Sequence, residues 1–337
     1  MNKKTRIALF FGGKVSQHLM MIKRAAKKLG VVLDLVSYNE VCFDTDFGEV
    51  KLRRKKNIKD YDVLFFRTTG KHWEEVNLIL DSVKNPSVAA ATSPLDKGEK
   101  YKTPVVVDPL VLKGRPSDTC KAYQMLVMKR AGIDVPKTVY GSLWYLYEFM
   151  KETEQKNPSV AAATSPLDKG EKYFFTFPVI LKGSGGDRGT RVFKANNLAE
   201  LEKLVMDLRK SETEEGRRYM LQEYIENDGD YRVLVLGKKV LGVIKRSAPK
   251  NHFLNNYSAG GRVEVAKLPK EIEDLAVKAA EVCGLWVAGV DVAFRNYDIN
   301  KPVIWEVNKG PQFKGFMKAT GIDVPAEIVK FLVGLKK

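Results

Sequence analysis

Cysteine and histidine are scarce in this 337-residue chain, three of each. Cys42, Cys120 and Cys283 lie far apart, show no C-x-x-C spacing and are odd in number, which disfavours a disulfide framework and a structural zinc site. His18, His72 and His252 are scattered, and no serine stands in a G-x-S-x-G turn, so a hydrolase triad and a catalytic zinc lack support. No apolar run approaches the roughly 18 residues of a membrane span. The stretch IALFF, Ile7 to Phe11, is too short for a signal h-region and has no A-x-A-like cleavage site. The chain reads as soluble and cytoplasmic. Acid is also in deficit: 57 Lys and Arg face 41 Asp and Glu, a formal charge of +16. Such a field attracts anions, whether nucleic acid, nucleotides, acidic peptides or an anionic surface. KLRRKK (Lys51 to Lys56) is the only tight basic cluster, however, and a solvated lysine-rich surface is the plainer reading. What remains is ordinary: 44% hydrophobic and 29% charged residues, enough for a sizeable core and two or three domains.

One 18-residue segment, KNPSVAAATSPLDKGEKY, occurs twice without a mismatch, at 84–101 and 156–173. Repeat architectures are tandem, imperfect and need about three units to bury a core, and this pair meets none of those conditions. The composition favours loops and buries little. Each copy follows a helical pattern and precedes a strand-like one, where an insertion costs little closure entropy. The segment is read as an element inserted twice into exposed loops, with a duplicated docking epitope as the alternative.

Strand and helix patterns alternate at the start: TRIALFFGG, then SQHLMMIKRAAKKLG with a glycine stop, VVLDLVSY, YDVLFFRTTG and the helix EEVNLILDSVK. This predicts a parallel sheet in an α/β domain. Gly12-Gly13 could cradle a phosphate, although alone it more often marks a tight turn. From Ser117 the character changes. SDTCKAYQMLVMKRAGI is helical, with Ser117 and Asp118 as expected caps, and LWYLYEFMKE is a further helix. FPVILKGSGGDRGTRVF reads as strand, glycine turn and strand; NLAELEKLVMDLRK as a helix; YMLQEYI as a strand; YRVLVLGKKVLGVIKR as a hairpin turning at Gly237-Lys238. Helix EDLAVKAAEVCG, strands WVAGVDVAFRN and VIWEVN and a last helix complete an α+β half.

Chemistry concentrates in that half. Asp291 lies within an apolar strand, where a charge is expensive unless paired or metal-bound. Glu306 and Asn308 are two apart on a strand and so share a face. Two adjacent strands could gather the three oxygen donors, a set that suits Mg²⁺, while an ordinary exposed acid on a strand edge is the competing reading. In VILKGSGGDRGTRV, Lys182 precedes Gly183, Gly185, Gly186 and Gly189, whose backbone N–H groups could wrap phosphates. The order is not that of a P-loop, and a simple hairpin turn is the alternative.

A strand lysine with a glycine loop, then QEYI, then GDYR, then Asp291 and the Glu-x-Asn strand: this succession resembles the ATP-grasp superfamily, most closely the RimK and glutathione-synthetase-like carboxylate–amine ligases. The match covers roughly Ser117 to Lys337. The resemblance implies an α/β N-terminal domain (1–116, with the insert 84–101) and an α+β ATP-grasp fold. The latter would comprise a small lid domain (117–220, with the insert 156–173) and a larger C-terminal domain (221–337) bearing the metal site, the two clasping ATP. It further implies that Lys121 and Lys182 bind nucleotide, that Gly185, Gly186 and Gly189 belong to the loop over the phosphates, and that Gln222, Glu223, Tyr224 and Ile225 form the hinge at adenine. By the same resemblance Asp230 holds the ribose, Asp291, Glu306 and Asn308 bind Mg²⁺ (or Mn²⁺), and Arg246 and Asn256 stand near the transferred phosphate. Two residues depart from the pattern: Cys120 where the family often has Asp, and Leu254 where RimK-like proteins have Arg.

The implied activity is amide or peptide bond formation through an acyl phosphate, releasing ADP and phosphate. The substrates implied are an amino acid such as glutamate and a peptide or acidic protein tail, which the +16 charge would steer. A membrane partner is not expected, and a homo-oligomer is compatible. The alternative is a nucleic-acid-binding or regulatory ATP-binding protein on the same scaffold without turnover, but no RNA-recognition or helix-turn-helix signature supports the first.

Overall fold

The structure is a computed structural model that describes residues 4–44, 49–53, 57–69, 72–84, 104–108, 120–155, 175–184, 191–247 and 262–336. The chain forms two compact units, the first from residues 1–118, 229–292 and 306–337, the second from 119–228 and 293–305. Both inserted copies, apart from Lys84, fall outside the described residues, as do Gly185, Gly186, Gly189, Leu254 and Asn256. No helix among the described residues is long and apolar enough to cross a membrane.

The first unit opens with the expected parallel sheet. Strands β1 (Arg6–Phe11), β2 (Val32–Ser37), β5 (Val63–Phe66) and β6 (Val105–Val107) lie in the order β2-β1-β5-β6. Their runs of Val, Leu, Ile and Phe are apolar on both faces, as a sheet covered on both sides requires. Helix α1 (Gln17–Lys28) starts where Ser16 accepts the Leu19 N–H and ends in lysines that suit its negative pole. Helix α2 is Trp73–Lys84. A short ribbon, β3 (Val41–Asp44) with β4 (Glu49–Leu52), went unrecognised in the sequence, and Lys51 and Leu52 of the basic cluster belong to it.

A five-stranded sheet completes this unit, in the order β13-β12-β11-β14-β15: β11 (Asp230–Leu236), β12 (Lys239–Ser247), β13 (Arg262–Ala266), β14 (Val287–Phe294) and β15 (Pro302–Lys309). The expected hairpin turns at Gly237, whose φ of 59° is left-handed and whose missing Cβ leaves room for Phe331. Helix α6 (Lys270–Val282) follows the expected pattern, whereas the single last helix is two, α7 (Lys314–Thr320) and α8 (Val324–Gly334), parted by left-handed Gly321. One apolar core joins the two sheets of the unit, from Ile7, Leu9 and Ile22 to Leu234, Val287, Phe313, Ile328 and Leu332.

The second unit holds α3 (Lys121–Arg130), β7 (Thr138–Gly141), α4 (Leu143–Gln155), β8 (Val179–Gly183), β9 (Val192–Ala195), α5 (Leu198–Thr213) and β10 (Tyr219–Glu223). The sheet is antiparallel in the order β7-β10-β8-β9, and α4 and α5 cover one face through Leu146, Met150, Leu201 and Val205. Helix α3 begins after Cys120, with no side-chain cap bond, and the expected caps Ser117 and Asp118 lie outside the described residues.

Candidate active site

In the five-stranded sheet, strand register builds a cluster of alternating charge. Asp230 and Arg232 are two apart on β11 and so share a face. Asp230 stands opposite Arg246 of β12, and Arg232 opposite Asp291 of β14. The pairs close as forks. Arg232 donates Nε to Asp291 Oδ1 and Nη2 to Oδ2, both at 2.7 Å, and Arg246 donates Nε to Asp230 Oδ1 at 2.9 Å and Nη2 to Asp230 Oδ2. Arg246 Nη2 also lies 3.0 Å from Asp291 Oδ2, and the Asn308 amide donates to that oxygen at 3.2 Å. Asp230, Arg246 and Asp291 are all buried.

The two carboxylates share these cations unequally. Burial pushes Asp230 up, to about 6, against the pull of Arg246 and with the charge of Asp291 adding to the rise. Burial acts on Asp291 in the same sense, but Arg232 and Arg246 outweigh it and hold the group at about 2.

The donor set suits Mg²⁺ in its chemistry. Two carboxylates and an amide come from adjacent strands β14 and β15, with Glu306 and Asn308 on one face of β15 and Asn308 within hydrogen-bond reach of Asp291. Among the described residues no cluster of three or more His, Cys, Asp or Glu forms a cation site. Asp291 Oδ2 is crowded by Arg232, Arg246 and Asn308, whereas Oδ1 has Arg232 Nε as its one donor among the described residues and so keeps a lone pair.

In the second unit the sequence-derived residues gather at strand ends. The Lys121 N–H donates to Ser184 O at 3.4 Å, bringing the start of α3 to the end of β8, two residues beyond Lys182. Gln222 donates to Thr138 Oγ1 at 2.8 Å. Glu223 accepts from the Lys137 N–H and from Arg295 Nη2, both at 2.7 Å, and Arg295 also grips Asp134 at 2.8 Å. Lys194 stands over the Tyr224 ring at 3.9 Å, and Ile225 O accepts from Asn227 at 2.9 Å. The segment Gln222–Ile225 is therefore fixed from β7, β9 and the turn at Arg295.

Arg232, Arg295 and Lys194 carry this geometry and were not singled out in the sequence. Arg232 had a signal, the acid–base alternation in GDYR, but its importance depends on facing Asp291. Arg295 and Lys194 offered none beyond their charge.

Parallel α/β strands followed by two antiparallel sheets make up an ATP-grasp fold. Solved structures match it end to end. A RimK domain ATP-grasp protein from Sphaerobacter thermophilus has a TM-score of 0.64 at 16% identity, covering 97% of this chain and 99% of that one. The ATP-grasp ligase PsnB, solved with a phosphomimetic variant of its minimal precursor, Mg and ADP, has a TM-score of 0.63 at 16% identity over 100% of both chains. The RimK-like ATP-grasp domain profile matches residues 117–332, and the chain belongs to that family. A probable alpha-L-glutamate ligase from Methanococcoides burtonii is 31% identical over 220 residues, 65% of this chain and 64% of the relative. The chain thus spans somewhat under two thirds of the length of that curated relative.

Proposed function

We propose that this chain is an ATP-dependent carboxylate–amine ligase that adds an amino acid, glutamate in the first instance, to an acidic peptide or protein tail. The observation that carries the reading is the buried Asp230–Arg246–Asp291–Arg232 cluster with Asn308 beside it, in a chain of the RimK-like family. The glutamate ligase names of the relatives favour the amino acid, and the +16 charge favours an acidic acceptor.

A carboxylate is a poor electrophile at neutral pH, and phosphorylation by ATP makes it reactive toward an amine. Catalysis of such a transfer is positioning and charge neutralisation. Lys121 and Lys182 would hold the nucleotide phosphates under the loop containing Gly185, Gly186 and Gly189, and Gln222 to Ile225 would present backbone groups to the base. Arg246, oriented by Asp230, and Asn256 would meet the moving phosphoryl group. This makes Asp230 a positioning residue for an arginine as well as a candidate for the ribose. Asp291, Glu306 and Asn308 would hold Mg²⁺, which would neutralise phosphate charge. The division into 1–116, 117–220 and 221–337 remains our reading of how these parts are distributed along the chain.

The test is mass spectrometry of the protein incubated with Mg-ATP, L-glutamate and acidic peptides. A species one water lighter than its two components, formed with ADP, is the expected product. Lys182→Ala and Glu306→Ala should each abolish it. Product from the double variant would refute the site. Steep salt-dependent nucleic-acid affinity without ADP release would favour the non-catalytic alternative.

A further inference from the structure

The N-terminal sheet holds a buried charge that this chemistry does not use. In a parallel α/β sheet, ligands sit beyond the carboxyl ends of the strands where the winding changes direction. Here the chain passes from β1 to β2 on one side and later places β5 on the other, so the change falls between β1 and β5. Their carboxyl ends run into Gly12-Gly13 and Arg67-Thr68. The Gly12 N–H donates to Thr68 Oγ1 at 3.3 Å, and the Arg67 N–H to Phe10 O at 3.2 Å, which ties the two ends together. A Cβ on Gly12 would lie 2.8 Å from the His72 ring, but one on Gly13, at φ 74°, would meet nothing within 4 Å among the described residues.

Arg67 is 3% exposed. Its Nη2 donates to Pro311 O at 2.8 Å, and the guanidinium stands 5.4 Å from the centre of the Phe313 ring. Its Nη1 is buried and finds no acceptor among the described residues. Nor does a described carboxylate pair with it. Asp108, which follows the neighbouring strand β6, is committed to the Trp286 N–H at 2.7 Å and to Lys309 Nζ at 3.8 Å. Burial alone acts on Arg67, pulling it down to about 10. Folded proteins pair buried charges because an isolated one costs several kcal/mol, and the aromatic face of Phe313 offsets only part of that.

We infer that Arg67 is a substrate-binding residue whose Nη1 takes a carboxylate of one of the two molecules the chain joins, at the carboxyl ends of β1 and β5. The inference rests on the ligase reading for the identity of the anion. One arm of the guanidinium is fixed on Pro311 O, which leaves the Nη1 N–H groups to present the single positive charge. A monoanionic carboxylate matches that better than a dianionic phosphate, whose second charge would be buried unpaired.

Calorimetric titration of the full chain with Mg-ADP present tests this, using L-glutamate and acetyl-Glu-Glu as probes and inorganic phosphate as the competitor. Arg67→Met should weaken one probe about tenfold or more, the loss of one charge-assisted hydrogen bond. The probe affected shows whether the carboxylate belongs to the incoming amino acid or to the acceptor. Tm should hold or rise, because an uncompensated buried charge has been removed. Arg67→Lys, which keeps the charge and loses the fork, should weaken the same probe and serves if Arg67→Met does not fold. Unchanged affinities with a lowered Tm would make Arg67 purely structural and overturn the proposal. Displacement of both probes by equimolar phosphate, or failure of the unaltered chain to bind either probe, would overturn it too. Probe binding needs no turnover. Intact binding without ADP-coupled product would instead count against the ligase reading.

Discussion

Each charge in the Asp230–Arg232–Arg246–Asp291 cluster is matched by partners on neighbouring strands, so the group is stable only as a set. Arg232→Met would strip Asp291 of its two-point partner and leave a buried carboxylate to Arg246 and Asn308. The expected loss is about 3–5 kcal/mol, read from urea unfolding midpoints, with Arg232→Lys recovering only part because the planar fork is gone. Equal stability of the methionine variant would mean the cluster tolerates a missing member. Asp291 was legible in the sequence because a lone acid in VAGVDVAF needs a reason, and Glu306 and Asn308 because their spacing puts them on one face. Arg232 was not, because nothing in GDYR tells which strand will lie beside it. Arg67 was hidden for a related reason: RTTG reads as the end of a strand, and the lack of an acid partner among the described residues appears only once the fold surrounds it.

Elements were read most surely where period and punctuation agreed. Helix α1 has its serine cap and glycine stop, and the β11–β12 hairpin has Gly237 at its turn. Short or exposed strands escaped: β7 has four residues, β13 alternates charge with valine on an exposed edge, and β3–β4 is a small ribbon. Such strands are held by neighbours more than by their own pattern. The start of β11 is the most tightly specified point. Gly229 has φ 138°, and a Cβ there would lie 2.3 Å from Arg246 O. Gly229→Ala should therefore push β11 from β12 just where Asp230 meets Arg246. We expect ADP formation to fall about 100-fold or more, the loss typical of a small misplacement of reacting groups. A steady-state assay with activity within a factor of about two of the unaltered chain would show that this approach is not needed.

At the scale of the whole molecule, sequence order and spatial order diverge. The family match begins at residue 117, yet the first unit draws on residues 1–118, 229–292 and 306–337. The strand–helix alternation announced the parallel sheet, but nothing in the sequence announced that its core would be shared with strands more than two hundred residues away. The duplicated 18-residue segment stands apart from this economy. Removing both copies should leave the thermal midpoint within a few degrees and ligase turnover within about twofold, since loop length enters closure entropy only logarithmically. Loss of folding or activity in the doubly deleted chain would show that the segments do more than occupy loops. The shared core also bears on how the protein is made. Helix α1 packs on α8, and Ile22 and Ala26 share a core with Ile328 and Leu332. Residues of α1 therefore leave the ribosome long before those of α8, which cover part of their apolar face. Nascent chains commonly finish an N-terminal domain while the rest is still being translated. This unit waits for α8, so the apolar face of α1 stays partly uncovered while everything between the two helices is being made.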